Sequence, residues 1–258
     1  MAKRLVLACM DRRLNMYLDE HYNDGNTLFL RNAGANAHCL LQSISDAVIS
    51  GTVNKIVVLG HTDCGAMKVV FDAIVNCNSS YCADIKDKIV HPFDDYGYLK
   101  EAGKKLSALS QEGRARAEEK ARRVLEKRNV ELQVSFLKEL TRSFPNVCVE
   151  GSVVDISTIK MPSSGHGNHA VIFARECSSK FNDMCNIAHT DPYETYIIEA
   201  GNLKEALTDL QMAVDVLHIH DVKLVAPDPA TKNTMASDLE LAKSMSSGFL
   251  KGSNISVV

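Results

Sequence analysis

The chain has 258 residues, of which 45% are hydrophobic, and it carries a formal net charge of −3. This length suffices for one large α/β domain or two smaller ones with a substantial core. The charge balance excludes the concentrated basic surface of nucleic-acid-binding proteins, and no apolar segment approaches the roughly 20 residues that span a bilayer. We therefore expect a small-molecule substrate, with no nucleic-acid partner and no membrane partner.

The cysteine content and the first residues indicate the compartment. Eight cysteines are too few for a disulfide scaffold in a chain of this length, and in a reducing compartment they stay thiols, some of which bind metal or react. The apolar segment after Met1–Arg4 has only about five residues, which is too short for the core of a signal peptide. These features predict a cytoplasmic protein.

The first 60 residues alternate strand and helix patterns. Residues 4–9 and 27–31 are short apolar runs that predict strands. Apolar residues at three- and four-residue spacing over 40–48 predict a helix that ends at Gly51, and a further strand is predicted over 55–59. This order indicates an α/β fold with a parallel-core β-sheet flanked by helices, in which chemistry is placed at the carboxyl ends of strands.

The middle of the chain is less regular. Residues 76–99 show no clear period and predict a loop with one helical turn at most. Residues 101–140 predict a long helix, solvated in its Ala-, Glu-, Lys- and Arg-rich first part, that ends before Pro145. A strand is predicted over 147–156 and a linker over 161–168.

The sequence after the linker resembles a diverged copy of the start. At an offset of 167 residues, 171–182 aligns with 4–15, and the same offset places Ala200-Gly201 on Ala33-Gly34. After one deletion, a strand predicted over 222–225 falls on the strand over 56–59. We interpret this as an internal repeat. It predicts two domains, residues 1–160 and residues 169–258.

Two strands of the predicted sheet end at residues that bind metal. Cys9 ends the first strand, and His61 and Cys64 follow the strand over 55–59. Zinc prefers thiolate and imidazole, and a catalytic zinc has three protein ligands with a fourth position open. The His61–Cys64 pair alone is more simply explained as core residues. The addition of Cys9 favours a zinc site if the two strands are neighbours.

Two charged residues strengthen that interpretation. Asp11 and Arg13 follow Cys9 at two and four residues. A carboxylate and a guanidinium so close in sequence pair readily, which keeps the carboxylate ionised and oriented. The alternative is an ordinary surface salt bridge.

Three segments together carry a family resemblance. Ala8–Leu14 reads ACMDRRL, Arg31–Gly34 reads RNAG, and Gly60–Gly65 reads GHTDCG. In this order they resemble the β-class carbonic anhydrases, especially the compact subtype of archaea and some bacteria. The resemblance extends over roughly residues 4–156.

The resemblance assigns roles to individual residues. It implies that Cys9, His61 and Cys64 bind Zn2+ and that Asp11 and Arg13 form the catalytic dyad. Asp11 would either accept a hydrogen bond from zinc-bound water or occupy the fourth zinc position in a closed form. The implied substrate pocket includes three residues within or directly after the second and third motifs: Gly34, Ala35 and Gly65.

The implied activity is the reversible hydration of CO2 to bicarbonate and a proton by zinc-bound hydroxide, because zinc lowers the pKa of bound water from 15.7 towards about 7. Such an enzyme is a carbonate dehydratase, a zinc lyase. One alternative is a carbon disulfide or carbonyl sulfide hydrolase, which has nearly identical motifs. Another is a non-catalytic module that binds zinc or senses bicarbonate, although the Asp11–Arg13 dyad argues against it.

The resemblance also suggests a purpose for the second half. Members of the family are built on dimers with their sites at the subunit interface. The repeat has lost the ligands, because Glu176 aligns with Cys9, Pro227 with His61 and Ala230 with Cys64. We therefore expect the metal-free half to act as a partner within the chain, an intra-chain pseudo-dimer that is also able to form homo-oligomers.

Overall fold

The computed structural model describes residues 3–93, 96–159, 170–175, 181–226, 228–245 and 253–258. The described strands form one eight-stranded sheet in the order β4-β3-β1-β2-β6-β5-β7-β8. Every neighbouring pair is parallel except β2 and β6, which are antiparallel at the centre. The strands are β1 (Lys3–Cys9), β2 (Thr27–Asn32), β3 (Val53–His61), β4 (Cys148–Val154), β5 (Ala170–Arg175), β6 (Thr195–Ala200), β7 (Asp221–Val225) and β8 (Asn254–Val257).

Helices flank the sheet, so the predicted α/β fold with a parallel-core sheet is confirmed. They are α1 (Asn15–Tyr22), α2 (Leu41–Ile49), α3 (Gly65–Val75), α4 (Ala83–Ile85), α5 (Gly97–Leu106), α6 (Gln111–Leu140), α7 (Phe181–Ala188), α8 (Leu203–Asp215) and α9 (Pro229–Met245). In the described part of the chain, no helix combines the length and the apolar character that crossing a membrane requires.

Two predictions about the middle of the chain are wrong. Residues 83–93 are not a loop but successive short helical turns. The single long helix predicted over 101–140 is two helices, α5 and α6, because the chain changes direction at 107–110. Leu99 and Leu106 of α5 are buried, and α5 packs on both α3 and α6. Helix α6 contacts α3 as well and also packs on β3 and β4.

The first and second halves have the same strand order. From the outer edge inwards, the first half runs β4-β3-β1-β2 and the second runs β8-β7-β5-β6. This order agrees with the predicted internal repeat, which stays a prediction. The predicted linker and the alignment positions Glu176 and Pro227 lie outside the described residues.

The sheet brings the predicted metal-binding residues to one edge. β1 pairs directly with β3 in parallel, from Arg4 opposite Lys55 to Ala8 opposite Leu59. Both strands are nearly continuous apolar runs because helices cover both sheet faces, which is typical of parallel sheets. The carboxyl ends of β1 and β3, with Cys9 and His61, therefore lie side by side.

Helix α6 contacts β4 at Gly151, where the absence of a side chain leaves room for the helix. A Cβ atom at Gly151 would lie 2.6 Å from methyl groups of both Val130 and Val134. These β-branched side chains have little rotamer freedom in a helix, so the helix itself would have to shift.

We therefore expect Gly151→Ala to lower the free energy of unfolding by about 1–3 kcal/mol, measured by urea denaturation. Gly97→Ala is the control, because nothing lies within 4 Å of the added Cβ there, and it should leave stability unchanged or slightly higher. Equal stability of the Gly151→Ala variant and the unsubstituted protein would contradict this packing.

Candidate metal centre

Three donor atoms converge at the carboxyl ends of β1 and β3. Cys9 ends β1, His61 ends β3, and Cys64 directly precedes α3. The donor atoms all lie within 4.8 Å of one another, and the two Sγ atoms are 3.9 Å apart. All three residues are buried, and they form the one cluster of this kind among the described residues.

Hydrogen bonds orient His61 and Cys64 towards the cluster. Nδ1 of His61 lies 2.9 Å from the carbonyl oxygen of Thr62, so we assign the ring proton to Nδ1. Nε2 is buried and has no hydrogen-bond partner in the described part of the chain, so its lone pair is available to a ligand. The backbone N–H of Cys64 donates to Oε1 of Glu126 at 3.3 Å.

Asp11 and Arg13 form a bidentate pair beside the cluster. Nε of Arg13 donates to Oδ1 of Asp11 at 2.9 Å, and Nη2 donates to Oδ2 at 2.6 Å. Burial is the largest influence on the Asp11 carboxyl and raises its pKa, but the hydrogen bonds and charge of Arg13, with the charge of His61, lower the pKa overall. Oδ2 lies 3.9 Å from Nε2 of His61. Asp11 is therefore turned to Arg13 and remains close to the cluster.

Asp63 holds the outer side of Arg13. Its Oδ2 accepts from Nη1 of Arg13 at 2.8 Å, and its Oδ1 lies 2.6 Å from Nζ of Lys68. Burial raises the pKa of Asp63, but these two cations lower it to about 2. The guanidinium of Arg13 is thus fixed between two carboxylates, one facing the cluster and one facing solvent.

A cavity of about 320 Å³ opens beside the cluster. Charged residues line one side of it, including Asp11, Arg13 and Lys68. Apolar and aromatic side chains from both halves of the chain complete the wall: Met10, Ala33, Ala66, Tyr196, Met212 and Leu217. The second half therefore contributes directly to the pocket next to the donor cluster.

The predicted pocket residues lie at two depths. Gly65 lines the cavity, whereas Gly34 and Ala35 are buried behind Ala33. Gly34 has φ +76°, and a Cβ there would lie 3.1 Å from the Cβ of Ala66, so the turn needs glycine at this position. Nδ2 of Asn129 donates to the Gly34 carbonyl at 2.6 Å and fixes the turn.

Asp209 reaches the same turn from the second half. Its Oδ1 accepts from the backbone N–H of Ala33 at 2.8 Å, while its Oδ2 is buried without a hydrogen-bond partner among the described residues. Burial raises the pKa of Asp209 to about 7 from an ordinary value of 3.8, against the opposing effects of the Ala33 N–H and Lys88. Sequence patterns did not single out Asp209, Glu126 or Asn129, because isolated polar residues on helices carry no distinguishing spacing.

The raised pKa of Asp209 predicts a pH-dependent stability. A raised folded-state pKa means that the folded chain holds the proton on Asp209 more tightly than the unfolded chain does, so binding of this proton stabilises the fold. This stabilisation is fully present below about pH 3.8 and is lost as pH rises through about 7. Asp209→Asn keeps an acceptor for Ala33 without the buried charge. The unfolding free energy of Asp209→Asn minus that of the unsubstituted protein should therefore be larger at pH 8 than at pH 5, by on the order of 2 kcal/mol.

Urea denaturation at both pH values measures this difference. Asp84→Asn provides the control, because it makes the same substitution at an exposed carboxylate. A difference between Asp209→Asn and the unsubstituted protein that does not change with pH would show that Asp209 does not titrate in this range.

Comparison with known families decides the assignment. Residues 4–159, more than half of the chain, match the family model described as carbonic anhydrase. The chain belongs to the carbonic anhydrase family. The predicted family is therefore confirmed, and with it the prediction of an enzyme of the carbonate dehydratase class. The matched range ends before β5, so the second half lies outside it.

Solved carbonic anhydrase structures resemble parts of the chain. The β-carbonic anhydrase CcaA is 19% identical, with 60% of this chain and 70% of that chain covered and a TM-score of 0.45. A tetrameric β-carbonic anhydrase from Sordaria macrospora is 17% identical over 62% and 78%, with a TM-score of 0.46. CafA of Aspergillus fumigatus is 20% identical over 61% and 72%, with a TM-score of 0.45. A search of curated proteins found no match.

The donor cluster of this carbonic anhydrase fits a zinc ion. Two Zn–S bonds of about 2.3 Å at a tetrahedral angle separate their sulfurs by about 3.8 Å, and the observed separation is 3.9 Å. The hydrogen bond with Cys64 and the neighbouring His61 lower the pKa of Cys9 against the opposing effect of burial, whereas the hydrogen bond with Cys9 and burial raise the pKa of Cys64. A cation among the donors would favour the thiolate form of both.

Proposed function

We propose that this protein is a zinc-dependent carbonic anhydrase that interconverts CO2 and bicarbonate at the cluster of Cys9, His61 and Cys64. The observation that carries the proposal is the convergence of three buried zinc-type donors within 4.8 Å, one of them an unpaired imidazole nitrogen. The reaction adds water to the carbon of CO2 and releases bicarbonate and a proton. Zinc held by these residues would supply Lewis acidity that allows a water molecule to ionise near neutral pH.

The dyad would orient the reacting water. Arg13 holds the Asp11 carboxylate by two short hydrogen bonds and keeps it ionised, so Asp11 is ready to accept a hydrogen bond. Oδ2 of Asp11 is the oxygen nearer to His61. In this arrangement Asp11 would fix the orientation of the water, and Arg13 would prevent the carboxylate from turning towards the metal ligands.

The cavity wall suits a small neutral substrate and a charged product. Met10, Ala66 and Leu217 present apolar surface beside the donor cluster, where CO2 would displace water at little cost. Arg12 and Lys68 line the same cavity and would attract bicarbonate as it leaves.

We further propose that the second half is a metal-free pseudo-partner within the chain. Its support is the equal strand order of the two halves, the antiparallel contact of β2 with β6, and the cavity wall shared by both halves. Hydrogen bonds between the two halves are also similar in the two directions. The Ala33 N–H donates to Asp209, and the Gly201 N–H donates to Oγ of Ser43, which is the position that aligns with Asp209.

The compartment and the assembly are proposals as well. The seven cysteines that the structure describes are free thiols, which supports a reducing cytoplasmic environment. The pseudo-partner arrangement requires one zinc site per chain, whatever further homo-oligomers the chain forms.

The substrate is tested by direct comparison with the sulfur analogues. Zinc-loaded protein is assayed for CO2 hydration by stopped flow and for hydrolysis of carbonyl sulfide and carbon disulfide under the same conditions. We expect CO2 to have the largest kcat/KM by at least about tenfold. Faster turnover of either sulfur compound would assign the site to that hydrolase, and zinc binding without turnover of any of the three would indicate a sensing module.

A further inference from the structure

Asn15 lies at the junction between the metal site and the second half of the chain. It is the first residue of α1 and only 1% exposed. Its Nδ2 donates to the carbonyl oxygens of Pro192 at 3.0 Å and Thr195 at 2.9 Å. Its Oδ1 accepts from Nη1 of Arg31 at 2.7 Å. The amide of Asn15 therefore bonds to the second half on one side and to Arg31 on the other.

Arg31 continues the connection to the site. Its guanidinium is buried, and Nε and Nη2 donate to the carbonyl oxygen of Cys9, both at 3.2 Å. Nη2 also donates to the carbonyl oxygen of Asp11 at 3.1 Å. A buried guanidinium with its donors in use has one favourable orientation. That orientation sets where the backbone of a zinc-type donor and of the dyad carboxylate lies.

Further contacts hold the same loop against the second half. The backbone N–H of Ile197 donates to the carbonyl oxygen of Met10 at 3.1 Å, and Nη1 of Arg12 donates to that of Tyr193 at 2.6 Å. Residues 10–15 are thus attached to the segment 192–197 at several points. Asn15 is the member of this set whose side chain also reaches Arg31.

We propose that Asn15 is a positioning residue that couples the second half of the chain to the metal site through Arg31. It transmits the position of the Pro192 and Thr195 carbonyls to Arg31, which holds the backbone of Cys9 and Asp11. The proposal rests on the proposed function for its kinetic consequence, but its geometric consequence concerns the donor cluster alone. Through this coupling the second half affects the site in two ways: it lines the cavity, and it positions the backbone of Cys9 and Asp11.

Two substitutions separate the two sides of the Asn15 amide. Asn15→Ala removes the acceptor of Nη1 of Arg31 and both hydrogen bonds that Nδ2 donates to the second half. Asn15→Asp keeps an acceptor for Arg31, which favours folding, but it cannot donate to Pro192 and Thr195 and places its oxygens against their carbonyls. If coupling to the second half matters, both variants change the site.

The matched control is Gln211→Ala. Gln211 is another buried amide, and its Nε2 donates to Asp215 on the same helix, α8. Loss of this bond should lower stability to a similar extent as the Asn15 substitutions, without changing the segment from Cys9 to Asn15. This control separates a general loss of stability from an effect on the donor cluster.

The experiment combines a spectroscopic and a kinetic measurement on the full chain. Cobalt replaces zinc, and the visible absorption of the cobalt-loaded protein reports the ligand geometry independently of turnover. CO2 hydration of the zinc-loaded protein is measured at 25 °C, where circular dichroism establishes that each variant is folded. We expect both Asn15 variants to show an altered cobalt spectrum and a kcat about tenfold lower with KM within about twofold, while Gln211→Ala matches the unsubstituted protein in both.

Specific results would overturn the proposal. An unchanged cobalt spectrum and kcat in Asn15→Ala, with only a lower melting temperature, would make Asn15 purely structural. Unsubstituted behaviour of Asn15→Asp would show that Arg31 needs an acceptor but not the bonds from Asn15 to the second half, and it would overturn the coupling role of Asn15. If the unsubstituted protein does not hydrate CO2, the proposed function fails, and the cobalt spectra still decide the role of Asn15.

Discussion

Cys64→Ala is expected to abolish zinc retention and CO2 hydration together. The substitution removes one of three protein donors, and Cys9 with His61 alone do not hold zinc in the site. Because even substitutions next to metal ligands reduce affinity or activity about 10- to 100-fold, loss of a ligand should lower kcat/KM by at least about a hundredfold. Zinc per chain by elemental analysis and stopped-flow hydration measure the two effects.

A matched cysteine controls for loss of a buried thiol. Cys185 is also free and buried, but it lies on α7 in the second half and is not one of the three converging donors. Cys185→Ala should retain one zinc per chain and the hydration rate of the unsubstituted protein. Equal zinc content and equal rate in Cys64→Ala and the unsubstituted protein would exclude Cys64 as a ligand.

Asp11→Asn is expected to lower kcat by about a hundredfold while zinc remains bound. The amide keeps the size of the side chain and an acceptor for Arg13, but it loses the charge of a carboxylate that is held ionised beside His61. General acid–base and orienting groups of this kind contribute typically 10²- to 10⁴-fold. Stopped-flow kinetics and zinc analysis on the same preparation measure kcat and occupancy.

Asp63→Asn is the matched control for the dyad. Asp63 binds the same guanidinium, but from the more exposed side, and its carboxylate is shared with Lys68. Because its side chain is 41% exposed, compared with 7% for Asp11, its substitution should reduce kcat less than about threefold. If the two substitutions had equal effects, Arg13 alone would account for them and Asp11 would have no separate role.

The sequence predicted the sheet core and the donor set for a physical reason. Apolar runs over 4–9 and 55–59 identify buried parallel strands, and such strands present their carboxyl ends at one edge. Zinc-type residues at both ends could therefore be predicted to meet. The spacing of Asp11 and Arg13 after Cys9 also predicted that these two residues pair, and the structure contains that pair.

The sequence did not reveal features that depend on tertiary packing. The helical turns over 83–93 bury Ile85, Ile89 and Phe93 at four-residue spacing, but this helical period covers only three short turns and ends beside Pro92, so it is a weak sequence signal. The break at 107–110 separates α5 from α6, which pack on each other, although two of its four residues, Ala108 and Leu109, have good helix propensity. Propensity alone therefore does not predict where the long helix is interrupted.

Long-range polar contacts were also beyond sequence reasoning. Asn15 and Asp209 bond across more than 170 residues, to Thr195 and Ala33 respectively. Neither residue has a spacing that differs from an ordinary helix residue. These residues lie close to their partners because the antiparallel contact between β2 and β6 joins the two halves of the chain.

The most direct test of the proposed function is a zinc titration of the metal-free protein followed by stopped-flow CO2 hydration. The one donor cluster found among the described residues predicts that the rate rises in proportion to added zinc and stops rising at one equivalent per chain. Binding of one zinc without any gain in hydration rate would contradict the assignment of this cluster as a carbonic anhydrase site.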